Sequence, residues 1–328
     1  MIGRRAFVGI VGAGCLARWR GRGEAQSSTK DPRVAYFGGR LGFEVNGRAF
    51  IEGLREHAYV PGRNLILDVR TYDTAKMDSL DLAANEAVAT GADVIFASNP
   101  QHIEAAVKAT RVIPIVGVDL ESDPVARGWV ATLAKPGGNF TGFFLDTPEI
   151  SGKQLQFLKE VRSDISRVAV LGDPRVNEPQ FTAIETVARS MGLTLQLLRI
   201  KAPDAIVPAI ADVGRQRAGA LVILTSPLAF SRLDRIADAA VAHRLPAISP
   251  FSPRFAEVGG LLAYGADIRD LFRRSAAYVD RIIKGAKPGE LPIQRPEKFL
   301  LVLNLKTARA LKLTLPMALV QRSDRVIE

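Results

Sequence analysis

The chain holds a single cysteine, Cys15, and only three histidines, His57, His102 and His243, in 328 residues. One cysteine excludes an internal disulfide and a multi-cysteine metal centre. The histidines form no His-x-His or His-x-x-x-His pair, so no metal site is expected. No GxSxG elbow, HExxH or P-loop occurs, and no carboxylates stand at a recognisable spacing for hydrolysis. Catalysis is therefore not expected, although triads assemble from distant residues and an exported α/β enzyme stays as the alternative. No apolar run reaches the ~20 residues that span a bilayer. The formal charge of +10 is concentrated at the start: removing residues 1–25, with Arg4, Arg5, Arg18, Arg20 and Arg22 against Glu24, lowers it to +6. What remains is scattered and not interleaved with aromatic residues, so no nucleic-acid partner is expected. With 47% apolar residues the chain can bury a large core, divided into one large or two medium domains.

The first 25 residues read as an address. A basic start with Arg4-Arg5 precedes an apolar run from Ala6 to Ala17, and Gly23-Glu24-Ala25 offers small residues for cleavage. That order is a secretory signal peptide. Arg4-Arg5 followed by Ala6-Phe7-Val8 resembles a twin-arginine signal, with Gly3 where a polar residue is usual. Cys15 as an acylated lipoprotein anchor is disfavoured, because Gly12 stands where a branched apolar residue belongs. Gly12-Ala13-Gly14-Cys15-Leu16-Ala17 also fits the GxGxxA dinucleotide fingerprint. The helix it requires would run through Gly21 and Gly23 with no apolar stripe, and the next strand ends in Gly38-Gly39 with no acid for a ribose. No cofactor is expected.

From Arg33 onward, short β-branched or aromatic runs alternate with amphipathic stretches. Strands are expected at 34–37, 65–69, 93–96 and 113–117, with helices at 43–57, 77–90 and 101–109 between them. An irregular stretch rich in Gly, Pro and Asp follows from Asp119 to Asp146. The pattern then restarts, with strands at 168–171, 195–200, 221–224, 247–249 and 261–264. Helices are expected at 178–191, 205–217, 233–243 and 268–284. Strands alternating with helices mean βαβ units and parallel sheets, so the fold class is α/β with two Rossmann-like lobes and a cleft between them.

Several stretches resemble one family. Leu133-Ala134-Lys135-Pro136-Gly137-Gly138-Asn139-Phe140-Thr141-Gly142 carries the clearest likeness. Gly53-Leu54-Arg55-Glu56, Gly62-Arg63-Asn64, Asp123-Pro124-Val125, Gly259-Gly260-Leu261-Leu262, Asp270-Leu271-Phe272 and Asn304-Leu305-Lys306-Thr307-Ala308 support it in order. Together they are similar to the substrate-binding proteins of ABC transporters labelled tryptophan/tyrosine-binding-like, over nearly all of residues 31–328. The resemblance implies a type I periplasmic-binding fold with lobe one at 31–143 plus 262–292 and lobe two at 144–261 plus 293–328. It also implies a small organic ligand such as an aromatic amino acid or aromatic acid, closure about a hinge, and an ABC permease in the inner membrane as partner. A periplasmic sensor subunit is the alternative. A DNA-binding regulator of this fold would need a headpiece where residues 1–30 read as a signal peptide.

Ligands of open α/β sheets bind beyond the carboxyl ends of the strands. Arg40 and Phe43 follow the first strand, Ser98 and Asn99 the third, and Asp119 the fourth. In the second half Asn177, Thr225, Ser226, Phe251 and Tyr264 follow or end strands. With Phe144 from the crossing stretch, these are the expected ligand contacts, the aromatic residues as walls and the polar groups as anchors. Each has a plainer reading as well: Ser98 and Asn99 as helix caps, Asp119 as a partner of a nearby base, the aromatic residues as core. Gly137-Gly138 is expected to make a tight turn at the hinge.

Overall fold

The computed structural model describes residues 30–72, 80–119, 122–145 and 147–328. The expected signal peptide, Cys15 and the GxGxxA match lie outside the described residues, as does the expected start of a helix at 77–79.

The first half alternates as its periodicity demands. Strand β1 (Arg33–Gly39) leads into helix α1 (Arg40–Gly42), a π-helical turn at Phe43–Gly47 and helix α2 (Arg48–Glu56). Strand β2 (Ile66–Tyr72), α3 (Leu80–Ala89), β3 (Val94–Ala97), α4 (Pro100–Ala109), β4 (Ile115–Asp119) and β5 (Phe140–Phe144) follow. Among the described residues the five strands form one parallel sheet in the order β2-β1-β3-β4-β5.

The second half repeats the plan. It runs α5 (Thr147–Val161), β6 (Arg167–Gly172), α6 (Pro174–Ser190), β7 (Thr194–Arg199), α7 (Ile206–Arg215) and β8 (Ala220–Ile223). Then come α8 (Pro227–Phe230), α9 (Leu233–Ala242), β9 (Ala247–Ser249), α10 (Arg254–Glu257) and β10 (Leu262–Ala266). The chain ends with α11 (Ile268–Ile283), β11 (Phe299–Asn304), α12 (Leu305–Ala310), α13 (Met317–Arg322) and β12 (Arg325–Ile327). The second sheet has the order β12-β11-β10-β9-β8-β6-β7, with β11 antiparallel to β10.

Both sheets are buried on both faces, as parallel sheets must be. On β1, Val34 and Tyr36 enter one apolar cluster, and Ala35 and Phe37 enter the cluster on the opposite face. On β6, Val168 and Val170 are split from Ala169 and Leu171 in the same way. This period-two division converts continuous apolar runs into two cores per sheet, each large side chain contributing about 1.5–3 kcal/mol on burial.

The chain passes between the two sheets and their helix layers three times, between β5 and α5, between β10 and α11, and between Gln294 and β11. Helix α11 belongs to the first lobe, where it packs on α2. There Gly53 permits an approach that a side chain would forbid, since a Cβ would stand 2.1 Å from the Arg273 carbonyl oxygen. Three features differ from the expectations. Strand β10, placed with lobe one by the resemblance, pairs with β9 and β11 in the second sheet, so the return begins at α11. The stretch read as irregular contains β5, and α5 follows it. Gly137-Gly138 lies before β5, at the end of the strand remote from its crossing to α5, with the Gly137 N–H donating to the Gly289 carbonyl. That turn pairs with the 3-10 turn at Pro288–Glu290.

Candidate ligand-binding site

A cavity of about 310 Å³ opens where the carboxyl ends of strands from both sheets face one another. The first lobe contributes the start of the helical run after β1, with Arg40, Glu44 and Asn46, the turn Ser98-Asn99-Pro100 after β3, and Val118 of β4. The second contributes Thr225-Ser226-Pro227 after β8, then Phe230, Ser231 and Arg232, and Phe251 after β9. Ile268 and Phe272 of α11 complete the wall.

The two lobes present the same local device to this cavity. On one side Asn99 caps α4, its Oδ1 accepting from the His102 N–H at 3.0 Å, with Pro100 at the first helical position. On the other, Ser226 caps α8, its Oγ accepting from the Ala229 N–H at 3.1 Å, again with a proline next. A capping side chain followed by proline removes orphan donors at the helix start and fixes the turn that carries it. Ser98 and Thr225 occupy corresponding places, one residue before each cap.

Behind the first turn lies a buried ring. The Nδ1 atom of fully buried His102 is 3.3 Å from the Ser98 Oγ, and burial pushes its pKa down to about 3. The imidazole is neutral at physiological pH, so Ser98 rests against a dipole, not a cation. Burial also pushes the Tyr36 phenol up, keeping it protonated beneath the same wall. The net charge of the cavity comes from Arg40, Arg232 and Glu44. Arg40 and Glu44 make no side-chain hydrogen bond or ion pair with another described residue, and Arg232 donates only to the Ser231 carbonyl.

Six expected contacts therefore meet in one cavity: Arg40, Ser98, Asn99, Thr225, Ser226 and Phe251. The other five do not line it. Phe43 turns inward to Tyr36, its ring centroid 4.8 Å away, in space kept open by Gly47, where a Cβ would come within 2.5 Å of the Phe43 ring. Asp119 is fully buried, and its carboxylate accepts from the Ser122 N–H at 2.9 Å and O–H at 2.7 Å. Phe144 faces the helix layer of the first lobe with Phe140 and Ile293. Tyr264 points into the second core, its ring 4.9 Å from that of Phe157 and stacked near Phe299. Asn177 is fully buried and acts on the wall from behind: its Oδ1 accepts from the Asp173 N–H at 2.7 Å and its Nδ2 donates to the Thr225 carbonyl at 2.6 Å. Glu44, Asn46, Phe230, Arg232 and Phe272 were missed. Arg40 and Glu44 stand four apart, a helical spacing that signals one shared face.

Among the described residues no helix is long and apolar enough to cross a membrane. A family model described as ABC transporter substrate binding protein matches residues 43–327. A tyrosine-binding protein of Clostridioides difficile (strain R20291) is 25% identical over 267 residues, 80% of this chain and 75% of its own. The structure is similar to a conserved domain protein of Vibrio cholerae, with TM-score 0.84 and 23% identity over 90% of this chain and all of that one. It is also similar to an ABC domain from Streptococcus pneumonia in complex with L-Trp, with TM-score 0.83 and 19% identity over 91% of this chain and 100% of that one. Both likenesses establish a type I periplasmic-binding fold.

Proposed function

The chain belongs to the ABC transporter substrate binding protein family, and from that premise we propose that it is the extracytoplasmic receptor of an importer, holding a small aromatic acid or aromatic amino acid between its lobes without altering it. The observation that carries the reading is the composition of the cavity. It has apolar faces from Phe230, Phe251 and Phe272, short polar side chains on two capped turns, and arginines contributed by both lobes. Its volume of about 310 Å³ stands at the small end of ligand pockets, which run from about 300 to 1,000 Å³. The names of two similar proteins, one tyrosine-binding and one in complex with L-Trp, support a flat apolar body with a carboxylate.

A ligand touching both walls gains contacts only when the lobes are together, so it shifts an open–closed equilibrium by its extra affinity for the closed form. The three interlobe connections are the segments about which that motion would turn. The closed surface is what a membrane permease would recognise, and residues 1–25 would direct export. The test is thermal unfolding of residues 26–328 against amino acids, aromatic acids, other small carboxylates and nucleosides. A ligand at 100 times its Kd contributes about 2.7 kcal/mol and raises Tm by a few degrees. A shift with aromatic acids or aromatic amino acids, with the compound recovered unchanged, supports the proposal. A shift confined to nucleosides, a flat response, or conversion of any compound sinks it.

A further inference from the structure

The π-helical turn at Phe43–Gly47 carries an asparagine that the fold itself does not use. Asn46 is 6% exposed, lines the cavity, and its side-chain amide makes no hydrogen bond with any described residue. An amide has two donors and an acceptor with two lone pairs, and with no protein partner these are left to whatever occupies the cavity. The turn packs against α11, which lends Ile268 and Phe272 to the same cavity, so the neighbours there are apolar. Single π turns within helices often mark functional sites. Nothing in the fold's own packing requires an amide at this position.

We propose that Asn46 is a specificity-determining residue that reads a hydrogen-bonding substituent on the ring of the ligand, so that the protein selects a phenolic acid or phenolic amino acid over its unsubstituted counterpart. A phenol hydroxyl both donates and accepts, matching the two halves of an amide. The carboxylate lies toward Arg40, six residues earlier on the same helical run. Six residues span about 8–9 Å along a helix axis, comparable to a hydroxyphenyl ring with a short tail. The inference rests on the proposal that the cavity holds an aromatic acid or amino acid.

The test is calorimetric titration of matched pairs: phenylalanine and tyrosine, 3-phenylpropionate and 3-(4-hydroxyphenyl)propionate, benzoate and 4-hydroxybenzoate. In any pair that binds, the hydroxylated member should be tighter by about tenfold or more. Asn46→Leu should erase that ratio by weakening the hydroxylated member, leave the other within about threefold, and leave the ligand-free Tm within about 2 °C of the parent, since the amide has no hydrogen bond within the protein to lose. Should the leucine fail to fold, Asn46→Ala must show the same loss of ratio. Equal affinities within a pair in the unmodified protein overturn the inference while leaving the binding function intact. So does a variant that weakens both members alike and melts lower, which marks a structural asparagine. Binding of no member of any pair overturns both readings together.

Discussion

Replacing Asn177 with alanine removes the clamp that holds the second wall of the cavity. Its amide joins two loops, accepting from the Asp173 N–H at the end of β6 and donating to the Thr225 carbonyl at the end of β8. Asn177 has no exposed surface, and Asp173 and Thr225 are 1% and 5% exposed. Truncation therefore leaves a backbone donor and a backbone acceptor with poor access to water. Each buried group left unpaired costs about 1–3 kcal/mol, so the loss should be about 2–6 kcal/mol. In urea unfolding at 25 °C the midpoint should fall with the slope m unchanged, and Tm should drop by about 4 °C or more. Asn177→Asp should do no better, because it keeps an acceptor for the Asp173 N–H but turns a second oxygen towards the Thr225 carbonyl. Both variants should bind ligand more weakly even where fully folded, because Thr225 and Ser226 lose their anchor. An alanine variant within about 0.5 kcal/mol of the parent would refute the reasoning.

His102 should make stability depend on pH. Burial lowers its pKa from 6.5 to about 3, so below 6.5 the unfolded chain takes up a proton that the folded protein refuses. Stability should fall as pH drops from about 6.5 towards 3, by up to about 1.4 kcal/mol per unit from this group; His102→Gln should lose that part of the slope, and parallel curves would refute it. Gly53→Ala places a methyl 2.1 Å from the Arg273 carbonyl oxygen, a backbone atom that cannot rotate away. The expected cost is about 1–3 kcal/mol in urea unfolding, from α2 and α11 being forced apart, and a neutral result would show that the helices yield. Arg232→Ala should weaken binding of a carboxylate ligand and reduce its dependence on salt in titrations from low to high ionic strength; unchanged affinity and salt dependence would remove Arg232 from the site.

The alternation of strand and helix was legible because each element buries an apolar face whose period is visible in the residues. Strand β5 was not, since Phe140-Thr141-Gly142-Phe143-Phe144 is short, contains glycine and follows a glycine-rich loop. Its status as a strand comes from pairing with β4, a tertiary fact. The rule that ligands meet the carboxyl ends of strands found Arg40, Ser98, Asn99, Thr225, Ser226 and Phe251 from position alone. It failed for Phe43, Phe144 and Tyr264 because proximity to a strand end does not say which face a side chain takes. For Phe43 the decision rests on Gly47, four residues away, whose missing side chain leaves the ring its place. Asn177 was found for the wrong reason. Its polarity signalled a role at the cleft, but its two backbone partners make it a positioning residue.

The placement of α11 also sets an order of events in the life of the chain. Phe50, Leu54 and Phe96 share their apolar cluster with Leu271, Phe272, Ala276 and Val279, so part of the first lobe's cover is encoded some 170 to 230 residues downstream. A chain emerging from the ribosome completes the strands of the first sheet early and must carry that apolar surface open while the whole second βαβ series is made. Until residue 283 has appeared, the leading half is an unfinished domain, a ready client for holdases and a hazard for aggregation. Helix α11 covers the first sheet but follows strands β6–β10 of the second, so a truncation before it should leave the first sheet's apolar face open. The apolar face laid down first is closed by a helix made near the end.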